Sequence, residues 1–216
     1  MNEDMLAARH YLYRTFQCLL GNDPRSDGWA ELDAELVEEA CAIAGTDGAK
    51  LARLLGETYG SKARREQLAS EYAATLVGPG ALPSPPWESA QLSSDGGLFT
   101  PVTLTVRNAY RAQGLLPQQY PSVADDHIAL ECGFLAELAG RTLSACKAHD
   151  AERCTEALEA SRSFIKAHPL RWAPCFAEKL SSEKAPFYRT VAESLVDFLK
   201  VDASWLDERA LSRAAA

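Results

Sequence analysis

Two short runs carry the residue types that could do chemistry: Trp87-Glu88, and Asp125-Asp126-His127. An aspartate next to a histidine can pass a proton, hold an arginine through charge-assisted hydrogen bonds, or cap a helix. Ser122 lies three residues ahead of Asp125, the spacing of a capping box, and acids suit the positive end of a helix. That accounts for Ser122 and Asp125 and leaves Asp126 and His127 available. General acid–base work would need a third group and a pocket, which the sequence does not name. A small helical enzyme using Asp126 and His127 as a proton-transfer pair stays as the alternative reading.

Other chemistries find little support. The histidines at 10, 127, 149 and 168 show neither H-x-x-x-H nor H-E-x-x-H spacing, so no metal is expected. His10, His149 and His168 read as surface or helix-end residues. No Walker phosphate loop, G-x-G-x-x-G or G-x-S-x-G occurs, and no cofactor is expected.

The tryptophan is set apart by its surroundings. Residues 78–99, GPGALPSPPWESAQLSSDGGLF, form a stretch of about 20 residues with little scope for regular structure. Pro83, Pro85 and Pro86 stiffen it and present Trp87 beside Glu88. Leu92, Leu98 and Phe99 argue against simple disorder. An amphipathic ring next to a carboxylate suits a peptide-binding surface. The competing reading folds Trp87 back as a plug for the core.

The elements that must position these groups are helices. Apolar residues recur at helical spacing over 3–20 (Leu6, Leu12, Phe16, Leu19, Leu20) and 27–44 (Trp29, Leu32, Leu36, Val37, Ala40, Ile43). They recur again over about 48–59, 62–76, 98–113 (Phe99, Val102, Val106, Tyr110), 123–147 and 150–167. Shorter helices follow His168-Pro169 and Pro186, and the chain should fray from about 208. Leu76, Trp29, Trp172 and Trp205 read as core or interface. No alternating run is long enough for a strand. The expected fold is all-α: one domain over 1–216, a bundle of about nine to eleven helices with a long functional loop at 77–97.

Composition narrows the partners. With 216 residues, 47% hydrophobic, the chain can bury a real core. A net charge of −8 disfavours nucleic acid and anionic membranes and attracts cationic partners. No signal peptide and no membrane-spanning run is legible, so the expected location is the cytoplasm. Six cysteines without a C-x-x-C pair read as buried reduced thiols.

Taken together, these runs resemble the TorD/DmsD/NarJ family of redox-enzyme maturation chaperones, closest to its TorD/DmsD branch. The resemblance rests on EY at 71–72, GPG at 78–80, PPWES at 85–89, LF at 98–99 and DDH at 125–127. It continues in F-x-x-x-H-P-L-R-W at 164–172 and A-P-F-Y at 185–188. It implies a cytoplasmic, all-helical, non-enzymatic chaperone. Such a protein binds the twin-arginine leader and apo form of a molybdopterin-type reductase catalytic subunit and holds it until cofactor loading is complete. The residues implied in leader binding are Trp87, Glu88, Asp126 and His127, with Asp125, Tyr72, Pro86, Ser89 and Phe99 around them. Glu88, Asp125 and Asp126 would form an acidic rim, and Trp87, Leu92 and Phe99 an apolar groove. The chain departs from the family pattern at Thr75-Leu76, where a leucine–phenylalanine pair is usual. It departs again at Val123-Ala124, where Glu-Pro is usual. Long loops between helices allow either a monomer or a domain-swapped dimer.

Overall fold

The structure, a computed structural model, describes residues 2–78, 81–93, 96–117, 123–181 and 183–214. The described residues form eleven α-helices: α1 (Glu3–Gly21), α2 (Asp27–Ala30), α3 (Ala34–Ala44), α4 (Ala49–Gly56), α5 (Lys62–Tyr72), α6 (Glu88–Leu92), α7 (Pro101–Ala112), α8 (Ile128–Lys147), α9 (Ala151–Ala167), α10 (Pro169–Lys179) and α11 (Pro186–Ala214). A π-helical turn, Ala73–Val77, ends α5. Among these residues no helix is long and apolar enough to cross a membrane.

The bundle is organised by α1, which lies along α8 and buries Leu6, Leu12, Tyr13, Phe16, Leu19 and Leu20. In turn α8 packs on α9, while α11 closes the other side against α10, α9 and α4. The expected core residues Leu76, Trp29 and Trp172 are buried, and Trp205 is half-buried. Cys41, Cys132 and Cys154 are buried and the other three cysteines half-buried.

Several boundaries differ from the sequence pattern, each for a local reason. The expected helix 27–44 breaks in two because Asp33 caps α3, accepting from the Glu35 and Leu36 amides. The break resets the helical phase. Val37, Ala40 and Cys41 therefore face inward, and Leu36 and Ile43, expected inside, are exposed. The long helix starts at Ile128, not near 123, because His127 is its cap. Asp125 therefore lies ahead of the helix and outside any capping box. Ser122 and residues 79–80 fall outside the described residues. Phe99, expected on the buried face of a helix, precedes α7, whose cap is Thr100. The last helix continues past 208 to Ala214.

Two polar contacts join the chain ends to the bundle. Glu71, at the end of α5, accepts from the Phe187 and Tyr188 amides at 3.0 Å each and caps the start of α11. Arg9 and Asp202 are paired with no exposure of either side chain. Arg9 Nη2 donates to Asp202 Oδ2 at 3.1 Å, and the Tyr13 hydroxyl donates to the same oxygen at 2.7 Å. Removing one partner of such a pair leaves a buried charge uncompensated. Asp202→Ala should therefore lower unfolding stability by about 3–5 kcal/mol in urea titration. A loss under about 1 kcal/mol would mean that Arg9 re-solvates and that the pair does not lock α1 to α11.

Candidate functional site

The proline-rich segment 81–93 is a strap across one end of the bundle. Trp87 and His127 form an isolated antiparallel bridge. The Glu88 amide donates to Asp126 O, and the Ile128 amide to Pro86 O, both at 2.9 Å. The proline at 86 can serve here because only its carbonyl is used. The Asp126 carboxylate adds a third tie, accepting from the Ser89 amide at 2.7 Å. On the far side the Ser84 hydroxyl donates to Phe176 O at 3.0 Å, and Lys179 donates to Gln91 Oε1 at 2.8 Å, so the strap is also fixed to α10.

This arrangement puts Trp87 against His127, ring centroids 5.2 Å apart and edge-on. Both side chains are half-buried, so Trp87 is not a core plug. His127 Nδ1 accepts from the Ala129 amide at 3.1 Å and is spent as the cap of α8. Burial pushes its imidazole down to about 4, against the pull of Asp126. Asp126 directs one oxygen at the strap backbone, and its other oxygen, Oδ1, has no partner. The two side chains are thus used for separate ends and do not form a proton relay.

The expected acidic rim is not at the surface. Glu88, Asp125 and Asp126 each show 0% exposure. Ser89 and Pro86 are buried with them. Glu88 Oε2 pairs with His168 Nδ1 at 2.8 Å, so His168 is a buried partner and not a surface residue. The residues that sequence reasoning missed lie underneath the strap. Glu131, one helical turn after His127, accepts from Trp172 Nε1 at 3.2 Å. Its other oxygen and Glu88 Oε1 lack a donor, while the two carboxyl groups stand within hydrogen-bonding reach. Burial first, then the charges of Glu88 and Asp126, push the Glu131 carboxyl well above the usual range. A proton kept on Glu131 then satisfies both oxygens as a donated hydrogen bond. Arg107 holds Asp125, and the Tyr110 hydroxyl donates to Asp125 O at 3.0 Å. One signal for Glu131 was legible: a lone acid on the apolar face of a helix.

The exposed large side chains at the end of the strap and on the segment that runs into α7 are apolar. Leu92, Leu98, Phe99 and Leu104 are exposed, Phe99 at 63% and in a left-handed conformation, φ 57°. Tyr72 lies at the start of α11 instead, its ring 5.8 Å from that of Tyr188. Among the described residues no group of three His, Cys, Asp or Glu is placed to hold a metal ion.

The family described as "Nitrate reductase delta subunit" matches residues 29–178. The chain belongs to this family. Its relatives include the chaperone protein TorD of Vibrio cholerae, 33% identical over 48% of this chain and 46% of that protein. The Tat proofreading chaperone DmsD of Salmonella typhi is 27% identical over 59% of this chain and 56% of its own length. The chain thus spans about half the length of these curated relatives. A solved structure of a candidate redox enzyme maturation protein from Archaeoglobus fulgidus superposes with a TM-score of 0.53 at 23% identity, covering 89% of this chain and 93% of that one. That likeness bears on the fold alone. The named relatives are chaperones. In this delta-subunit family member, the sequence motifs that carry the resemblance meet in space. PPWES, DDH and H-P-L-R-W join through the Trp87–His127 bridge and the Glu88–His168 pair, and EY joins A-P-F-Y through Glu71.

The buried groups set two opposed pH dependences. The unfolded chain ionises Glu131 in the ordinary carboxylate range, whereas the folded protein resists. Stability is therefore lost as pH rises above that range, by up to ~1.4 kcal/mol per pH unit until the folded carboxyl ionises. Glu131→Gln keeps the neutral hydrogen-bonding shape. Its stability relative to wild type should grow between pH 5 and pH 8 in denaturant titrations, and a constant difference would disprove the shared proton. His127 acts oppositely: its folded value of about 4 lies below the ordinary 6.5, so stability falls as pH drops between the two. His127→Asn, which retains an acceptor for the Ala129 amide, should flatten that acid limb by on the order of 2 kcal/mol in melts from pH 7 to pH 4.

Proposed function

We propose that this chain is a chaperone for one exported redox enzyme. It binds the twin-arginine leader and apo form of a molybdenum-cofactor oxidoreductase catalytic subunit in the cytoplasm, before export. The observation that carries the reading is that four apolar side chains, Leu92, Leu98, Phe99 and Leu104, are exposed on α6, on α7 and just ahead of α7, the two helices packing together next to the Trp87–His127 bridge. A leader joins a cationic start to an apolar stretch. These side chains accept the apolar part, and the net charge of −8 draws in the cationic part. Membership of a family whose named members are Tat and TorD chaperones supports the same partner.

The geometry divides the site residues into two roles. Trp87, His127 and Phe99 are at least partly accessible and make the contacts, whereas Tyr72, packed on Tyr188, stands apart from them. Glu88, Ser89, Pro86 and Asp126 are buried; they fix the strap and act on the leader by holding Trp87 in place. Truncation of a central aromatic anchor typically costs 1–3 kcal/mol.

Calorimetry with a synthetic twin-arginine leader tests this. The wild type should bind at about micromolar affinity, near −8 kcal/mol, and an arginine-to-alanine leader much more weakly. Trp87→Ala and Phe99→Ala should each cost about 1–3 kcal/mol of binding with unchanged melting. Asp126→Ala should lower the melting temperature as well, because it frees the Ser89 amide. Wild-type affinity in both aromatic variants would remove the site, and no leader binding by the wild type would remove the function.

A further inference from the structure

Asp125 is an unusual carboxylate. It is fully buried, yet both nitrogens of its cationic partner fall on one oxygen. Arg107 Nε and Nη2 lie 2.7 and 2.6 Å from Asp125 Oδ2. Asp125 Oδ1 has no donor. A guanidinium and a carboxylate are best matched when two parallel N–H bonds reach both oxygens. Among the described residues, the observed pairing leaves one of the two buried carboxylate oxygens without a donor. Arg107, in contrast, keeps 17% of its side chain exposed while Asp125 keeps none, so the arginine stands between the carboxylate and solvent. Leu104 lies one turn before Arg107 on α7, at a spacing that puts the two on one helix face, and it is exposed. Thr103, also one turn before Arg107, is buried with an unpartnered hydroxyl.

We propose that Asp125 is a guanidinium-binding site kept filled by Arg107, and that an arginine of the bound peptide takes it by displacing Arg107. The inference rests on the peptide-binding reading above and says where one peptide arginine goes. An occupying guanidinium of the chain's own spares the folded protein a buried unpaired charge. An incoming guanidinium brings five N–H donors to a place with unused acceptors, and the exposed Leu104 beside it receives the apolar neighbour. The exchange swaps like for like: one cation leaves Asp125 as another arrives. Arg107, released toward water, retains its charge there. Affinity is then lowered by the fraction of time that Arg107 holds the site. This favours arginine over lysine, since the planar guanidinium fork matches both carboxylate oxygens with parallel hydrogen bonds and a compact ammonium does not.

The test uses Arg107→Ala, with N-acetyl-arginine methylamide and its lysine counterpart as small probes and the twin-arginine leader as the full ligand. Arg107→Ala should melt lower than wild type. The arginine probe at millimolar concentration should restore its melting temperature, the lysine probe should do so far less, and wild type should respond to neither. Asp125→Asn in the same background should abolish the response. The leader should bind Arg107→Ala about tenfold more tightly than wild type, the gain expected when a site held closed nine-tenths of the time is opened. That gain should vanish for the arginine-to-alanine leader. Arg111→Ala, which removes an exposed charge one turn further along α7, should change leader affinity less than about twofold, which separates exchange from bulk charge. Should Arg107→Ala fail to fold, Arg107→Lys keeps a cation on Asp125 without the fork and should give a gain of about threefold. Unchanged leader affinity in the folded Arg107 variant, with wild-type binding intact, overturns the exchange and spares the peptide-binding reading. If the wild type binds no leader, that reading falls, and the arginine probe still decides whether Asp125 takes a guanidinium. No rescue by the probe overturns the site itself.

Discussion

The structure depends on one constraint: four carboxylates, Glu88, Asp125, Asp126 and Glu131, are fully buried where the strap's backbone pairs, among the described residues, with the segment before α8 through two hydrogen bonds. Charge of one sign in that small space is tolerable only with a distinct answer for each group. Asp125 has Arg107, Asp126 has a backbone amide, Glu88 has His168, and Glu131, whose carboxyl burial pushes well above the usual range, has the Trp172 indole. Each answer comes from a different element. The acids therefore join the strap, α7, α8 and the α9–α10 junction more tightly than the two bridge hydrogen bonds could alone. The fold around the site is in this sense an arrangement for neutralising its own interior.

Most of the architecture was legible because it follows from periodicity. Apolar residues at helical spacing located the helices, and the prolines at 169 and 186 marked where two of them begin. Errors arose where a single polar side chain overrode the pattern. Asp33 capped α3 and turned Leu36 and Ile43 outward; His127 capped α8 and left Asp125 in the preceding turn. A cap is a contact between one side chain and one or two amides. It leaves hardly any trace in a pattern read over eleven residues or more.

For the site the two motifs were legible and their roles were not. Sequence reasoning joined Trp87 to His127, which the structure holds together, but it assigned the neighbouring acids to the surface on the ordinary grounds that carboxylates are exposed. Their burial depends on partners far away in the chain: His168 lies 80 residues from Glu88, and Trp172 lies 41 residues from Glu131. No local pattern encodes those pairings. Only the resemblance, which set H-P-L-R-W beside PPWES without giving it a task, hinted that these segments meet.

The separation of roles has a consequence for how a chaperone of this build could grip and let go. Under the proposed function, contact side chains at the surface would contribute affinity through buried apolar area, which salt barely touches. The sealed acids contribute only if the strap or Arg107 moves, and each such movement must first find a new partner for a buried charge. On the proposed reading apolar docking and charge recognition would be sequential: the exposed leucines and Phe99 would hold a peptide before any carboxylate is reached. A segment with apolar character but no arginine would stop at that first stage, because it brings no cation to replace the one it would have to dislodge. Discrimination then comes from the cost of opening the interior, not from an acidic surface open to any basic peptide.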